Sequence, residues 1–93
     1  MKIHEFRLEP FEIVKIPLNW DAQTISVLSK DGSIWLYARI ESNQNPIFER
    51  YFACFPTGDS SGLPGLVGRR TKGSCLGTVK LGSLVFHVYE VMA

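Results

Sequence analysis

Gln23-Thr24-Ile25-Ser26-Val27-Leu28-Ser29-Lys30-Asp31-Gly32-Ser33-Ile34-Trp35-Leu36-Tyr37-Ala38-Arg39-Ile40-Glu41 is the stretch that decides the fold. At its centre Asp31-Gly32 separates two strand-like runs. Both residues tolerate positive φ, so the pair predicts a two-residue hairpin turn joining Gln23–Lys30 to Ser33–Glu41. In the second run Ile34, Leu36, Ala38 and Ile40 share one face, and Trp35, Tyr37, Arg39 and Glu41 share the other. A period of two with one wholly apolar face is the signature of a strand laid on a core. The opposite face is amphipathic, which predicts partial cover on that side as well. In the first run Ile25 and Val27 are expected on one face, with Thr24, Ser26 and Leu28 on the other.

The same reading extends outward. Towards the N-terminus, Ile3–Leu8 and Phe11–Ile16 are short runs broken by Glu9-Pro10. Pro17 closes the second run, because proline cannot donate to a ladder. Asn19-Trp20-Asp21-Ala22 reads as a turn. Beyond the hairpin, the polar loop from Ser42 to Pro46 leads into Ile47–Phe55. There Phe48, Arg50, Phe52 and Cys54 alternate with Glu49, Tyr51, Ala53 and Phe55. Ser74–Leu81 and Leu84–Met92 form a last pair, joined by a tight turn at Gly82-Ser83. No segment carries apolar residues at helical spacing over a helix-like length; a single weak helical turn is legible at Ser60–Val67. The prediction is an all-β fold: a small antiparallel barrel or sandwich of about seven strands with one long Gly-rich loop. It is a single domain, 1–93, with the loop at 56–73.

Composition supports a globular chain and narrows its partners. Of 93 residues, 45% are hydrophobic and 12% aromatic, and ten Lys and Arg face nine Asp and Glu for a formal net charge of +1. A disordered chain would be poorer in aromatics and less balanced in charge. Six Phe, three Tyr and two Trp predict an aromatic core. The charge balance speaks against a protein that wraps nucleic acid. No apolar run approaches the length of a membrane span, and residues 1–7 lack the apolar stretch of a secretory signal, so no membrane association and a cytoplasmic location are expected. Cys54 and Cys75 lie twenty-one residues apart with no metal-ligand spacing around them. Two buried, reduced thiols are the favoured reading, over a disulfide or a metal site.

The segment from Pro56 to Gly73 is the candidate site. It holds five glycines, two prolines and three cations against one anion, a local charge of +2 inside a nearly neutral chain. Gly68-Arg69-Arg70-Thr71-Lys72-Gly73 at its end can grip a phosphate or carboxylate, since arginine offers a planar fork and glycine lets backbone N–H groups approach an anion. A solvated basic loop and a contact with an acidic protein surface are the competing readings. It is not a Walker A loop, because the Gly-Lys pair that motif needs is missing. Asp59, followed by Ser60 and Ser61, adds oxygens and is first of all a turn former. Trp35, Tyr37 and Tyr51, with Phe52, Arg39 and Arg50 in neighbouring runs, form a possible aromatic contact face able to stack bases; core packing explains them more simply. His87, between Phe86 and Val88, reads as a packing histidine, and His4 as exposed. No catalytic set and no metal set is legible, and no cofactor is expected.

Read together, these segments also resemble a family. The Ile3-His4-Glu5-Phe6-Arg7-Leu8 strand is followed by a turn ending Asp21-Ala22 before Ile25-Ser26-Val27. Then come Ile34-Trp35-Leu36-Tyr37-Ala38, Arg50-Tyr51-Phe52 running into Thr57-Gly58, Leu76-Gly77-Thr78-Val79, and Val85-Phe86-His87-Val88-Tyr89-Glu90. In this order they resemble a family of short, β-rich proteins of unknown function encoded largely by tailed phages and prophages. The chain departs from it at Asp59-Ser60-Ser61, where relatives often place a histidine, and in a longer Gly62–Gly73 stretch, which marks the loop as the place of specialisation. The resemblance implies a compact β protein without assigned enzyme activity. The expectation that follows is a non-enzymatic accessory protein that binds and inhibits a host protein, such as an anti-phage defence component. Sequestration of a small anionic ligand such as a signalling nucleotide, and a structural role in the virion, are the alternatives; a hydrolase using His87 or Asp59 ranks last. Open sheet edges and small size further predict a homo-oligomer.

Overall fold

In a computed structural model, described for residues 1–41, 45–58 and 69–92, the hairpin forms as its turn residues require. Asp31 and Gly32 both take positive φ (54° and 74°), the backbone of a two-residue turn whose twist matches its strands. The strands it joins are β3 (Gln23–Lys30) and β4 (Ser33–Ile40). Around them lie β1 (Lys2–Leu8), β2 (Ile13–Pro17), β5 (Glu49–Pro56), β6 (Thr71–Leu81) and β7 (Leu84–Val91). All ladders are antiparallel, and they make two sheets, ordered β1-β4-β3 and β2-β5-β7-β6. Among the described residues no ladder joins the two, so of the two architectures expected, the molecule adopts the sandwich and not the closed barrel.

Alternation along β4, β5 and β7 builds the core. Ile34, Leu36 and Ala38 from β4 face Phe52 and Cys54 from β5 and Phe86 and Val88 from β7, all essentially without exposure. Leu8, Ile16 and Leu18 fill the ends of this layer. Phe52 and Phe86 are the two aromatics among the fully buried side chains, so the core is mostly aliphatic, against the aromatic core expected from composition. Trp20, Phe11 and Phe48 sit at the surface instead. Cys54 is buried as expected; Cys75 is exposed, and both are free thiols.

Several strand boundaries move for identifiable reasons. Phe11 takes a positive φ of 68°, so β2 begins only at Ile13 and runs on to Pro17. β5 begins only at Glu49: Phe48 O still accepts the Leu18 N–H at 3.0 Å, in line with the β2–β5 register, whereas the Ile47 N–H is taken by Asn19 Oδ1 at 2.9 Å. A bulge between Thr24 and Ser26 changes the parity of β3. Ile25 is thereby turned to solvent while Val27 packs on the core, so the two do not share a face. β6 starts at Thr71, inside the stretch read as loop, and breaks register between Lys72 and Gly77. That break brings β6 alongside β3, where a Cβ on Gly77 would run into Cγ2 of Val27.

Candidate functional site

Two charges sit where alternation calls for apolar residues. Arg50 shares the inward face of β5 with Phe52 and Cys54, and Glu90 shares that of β7 with Phe86 and Val88. Each is more than nine-tenths buried. Charges survive desolvation only when paired and hydrogen-bonded, and these are. Arg50 Nε donates to Glu90 Oε2 at 2.9 Å and Nη2 donates to Oε1 at 2.8 Å, a bidentate fork. Arg50 Nη1 donates to the carbonyls of Ala22 at 2.9 Å and Asn19 at 3.2 Å. The guanidinium therefore ties the turn after β2 to the centre of the four-stranded sheet.

That turn places Trp20 over the pair. Its ring lies 5.6 Å from the Arg50 guanidinium carbon and 4.1 Å from Lys72 Nζ, both within reach of a cation–π attraction. Lys72 lies directly across the β6–β7 ladder from Glu90, with Nζ 3.7 Å from Oε2. The result is an open cleft of about 190 Å³ lined by Trp20, Arg50, Tyr51, Lys72, Glu90 and Met92. Large apolar side chains crowd this end: Trp20 is 53% exposed, Ile47 77%, Phe48 43% and Met92 48%. Trp20 and Phe48 touch with ring centroids 5.8 Å apart. Met92 is held beside the cleft by its N–H, which donates to Arg70 O at 2.8 Å.

The basic stretch contributes one side chain to this cleft. Lys72 turns inward, while Thr71, opposite Val91, projects to the outer face of the four-stranded sheet. Arg69 and Arg70 are exposed just before β6. Gly68 and Asp59 lie outside the described residues, as does the helical turn read at Ser60–Val67. The three aromatics read as one contact face are divided. Trp35 and Tyr37 belong to the outer face of the three-stranded sheet and Tyr51 to that of the other, so the sandwich separates them. Tyr51 instead joins Ile13, Ala53, Phe55, Tyr89 and Val91 in a small apolar cluster.

Several other polar side chains have local partners. Lys30 donates to Glu5 Oε2 at 2.8 Å and lies 5.0 Å over the Trp35 ring, and Tyr37 donates to the same carboxylate oxygen at 2.9 Å. The hydrogen bonds from Lys30 and Tyr37 hold the Glu5 carboxyl below its ordinary range. His87 sits between Thr57 Oγ1 at 2.8 Å and Thr78 Oγ1 at 3.0 Å, so both ring nitrogens are engaged. Among the described residues no three His, Cys, Asp or Glu side chains gather in a way that could hold a metal ion. The described residues contain no helix long and apolar enough to cross a membrane.

Trp20, Phe48, Glu90 and Met92 are not among the residues the sequence marks as a site, and Arg50 keeps company with Trp20 and Glu90 rather than with Trp35 and Tyr37, which lie in the other sheet. A signal for the pair was present: a cation in register with Phe52 and Cys54, and an anion in register with Phe86 and Val88. Two opposite charges on apolar strand faces call for each other. Nothing local marks Trp20, since a tryptophan in a turn gains its meaning from what the turn covers.

The whole chain, residues 1–93, matches the family described as "Domain of unknown function (DUF7352)". No curated protein and no solved structure matches it.

Proposed function

The chain belongs to this family of unknown function, and we propose that it acts by binding a protein partner, without catalysis of its own, through the end of the sandwich that carries Trp20. The observation that carries the reading is the grouping of Trp20, Ile47, Phe48 and Met92, all substantially exposed, around a cleft bordered by Lys72. Contiguous exposed apolar surface ringed by charge is the usual mark of a protein contact. Tryptophan and arginine are the residues that most often dominate the energy of such contacts. Trp20 is also pre-positioned: its backbone is fastened by the Arg50 hydrogen bonds to Asn19 O and Ala22 O, so docking costs little ordering.

The resemblance to phage-encoded proteins makes a host protein the first partner to seek. The experiment is affinity capture from host lysate with the native protein and with Trp20→Ser, Phe48→Ser and the double variant, read by native mass spectrometry. Thermal melts confirm that each variant folds. The reading expects a partner that the native protein retains and the folded double variant loses. Equal retention by both overturns it.

A further inference from the structure

Among the described residues, charge around the cleft is not balanced. Arg50 and Lys72 supply two positive charges and share one carboxylate, Glu90. Glu49, also on the lining, has its own counter-ion, with Lys15 Nζ 3.4 Å from Oε2. Arg50 takes both oxygens of Glu90 at hydrogen-bond length, which leaves Lys72 with a contact of 3.7 Å, well beyond the 2.7–2.9 Å of a charge-assisted hydrogen bond. An ammonium carries three donors. The one on Lys72, at the tip of a side chain one-third exposed, stands over the Trp20 ring and borders the open cleft.

We infer that Lys72 is the receptor for a single carboxylate of the partner, an Asp or Glu side chain whose apolar neighbour packs on Trp20 and Met92. This inference rests on the binding role proposed above and adds the chemistry of the contact. Charge decides between oxyanions. The excess of the Arg50, Lys72 and Glu90 group is one positive charge, which a monoanion matches. A phosphate near −2 would leave that group net negative, and the Arg50 guanidinium is already committed to Glu90 and the carbonyls. Size agrees, since about 190 Å³ accommodates a carboxylate and part of one apolar side chain. Lys72 reaches the anion by leaving its long contact with Glu90, whose bidentate bond to Arg50 stays intact.

The test uses the full chain and three probes: the blocked tripeptide Leu-Glu-Leu, its Leu-Gln-Leu counterpart, and inorganic phosphate. Each is titrated while the indole N–H resonance of Trp20 is followed by NMR. The expected result is saturable movement with the Glu peptide and affinity about tenfold lower for the Gln peptide, the ratio set by one charged hydrogen bond. Lys72→Met should erase that ratio, and Lys72→Arg should keep it. Equal affinities for the two peptides, no movement of Trp20, a ratio that survives Lys72→Met, or phosphate binding more tightly than the Glu peptide would each overturn the inference. Capture of a partner that is lost with Trp20→Ser and kept with Lys72→Met would sink the carboxylate assignment while leaving the binding role intact.

Discussion

Arg50 and Glu90, forty residues apart, meet through two parallel hydrogen bonds of 2.9 and 2.8 Å inside the sandwich. The pair does more than neutralise itself. Its guanidinium also holds the carbonyls of Asn19 and Ala22, so it joins β5, β7 and the turn that carries Trp20.

Removing one partner strands the other at a position more than nine-tenths buried. Arg50→Met or Glu90→Leu alone should cost about 3–5 kcal/mol, the scale on which broken buried pairs destabilise proteins. The double variant should be much less unstable than the sum of the two, because no buried charge is left alone and Lys72, which also loses Glu90, is partly exposed. Urea unfolding of all four proteins measures this, and additive losses would show that the two charges are not coupled.

Gly77 allows β6 to lie against β3. Gly77→Ala places a methyl in the space of Val27 Cγ2 and should cost about 1–3 kcal/mol, the usual scale of overpacking. Val27→Ala in the same chain should recover part of that loss by vacating the space. Chemical denaturation of the single and double variants decides it; a double variant less stable than Gly77→Ala would contradict this contact.

The two cysteines should differ sharply in reactivity. Cys75 is exposed on β6, whereas Cys54 is fully buried, and burial pushes its thiol up from an ordinary 9.0 to about 12. Iodoacetamide at pH 8 should label Cys75 in the native protein and both thiols only after unfolding, as intact-mass spectrometry will report. Equal native labelling would place Cys54 at the surface.

The same burial makes stability depend on alkaline pH. Below about pH 9 the Cys54 thiol is protonated in folded and unfolded chains alike and adds no pH dependence. Between about 9 and 12 the unfolded chain releases that proton and the folded one retains it, so stability falls as pH rises. Cys54→Val removes this slope while keeping a small apolar side chain in place. The difference in urea midpoint between wild type and variant should therefore drift against the wild type from pH 8 to pH 10.5; a constant difference would exclude the thiol as its source.

Much of the fold is legible in one dimension because strand structure is written locally. The Asp31-Gly32 turn, the Ile34-Leu36-Ala38 face and the Gly82 turn follow from backbone preference and a period of two. Where local pattern failed, a contact from elsewhere intervened: Asn19 withdrew Ile47 from its ladder, and a bulge turned Ile25 outward. The basic stretch drew attention to Lys72, yet pairing with β7 is what turned Lys72 inward and left Thr71 on the opposite face.

The sequence by itself determined seven strands, their approximate limits, the all-β class and the apolar face of the hairpin, since each depends on neighbours a few residues away. Only the tertiary structure decided between barrel and sandwich, divided Trp35 and Tyr37 from Tyr51, and assembled the cleft. Trp20, Arg50, Lys72 and Glu90 come from four distant segments, and the interactions among them arise when the sheets pair and close on one another. Desolvation then gives their charges weight: exposed, the same residues would be screened side chains, whereas at the end of a closed sandwich they form a fork, a ring and one ammonium facing an open cleft.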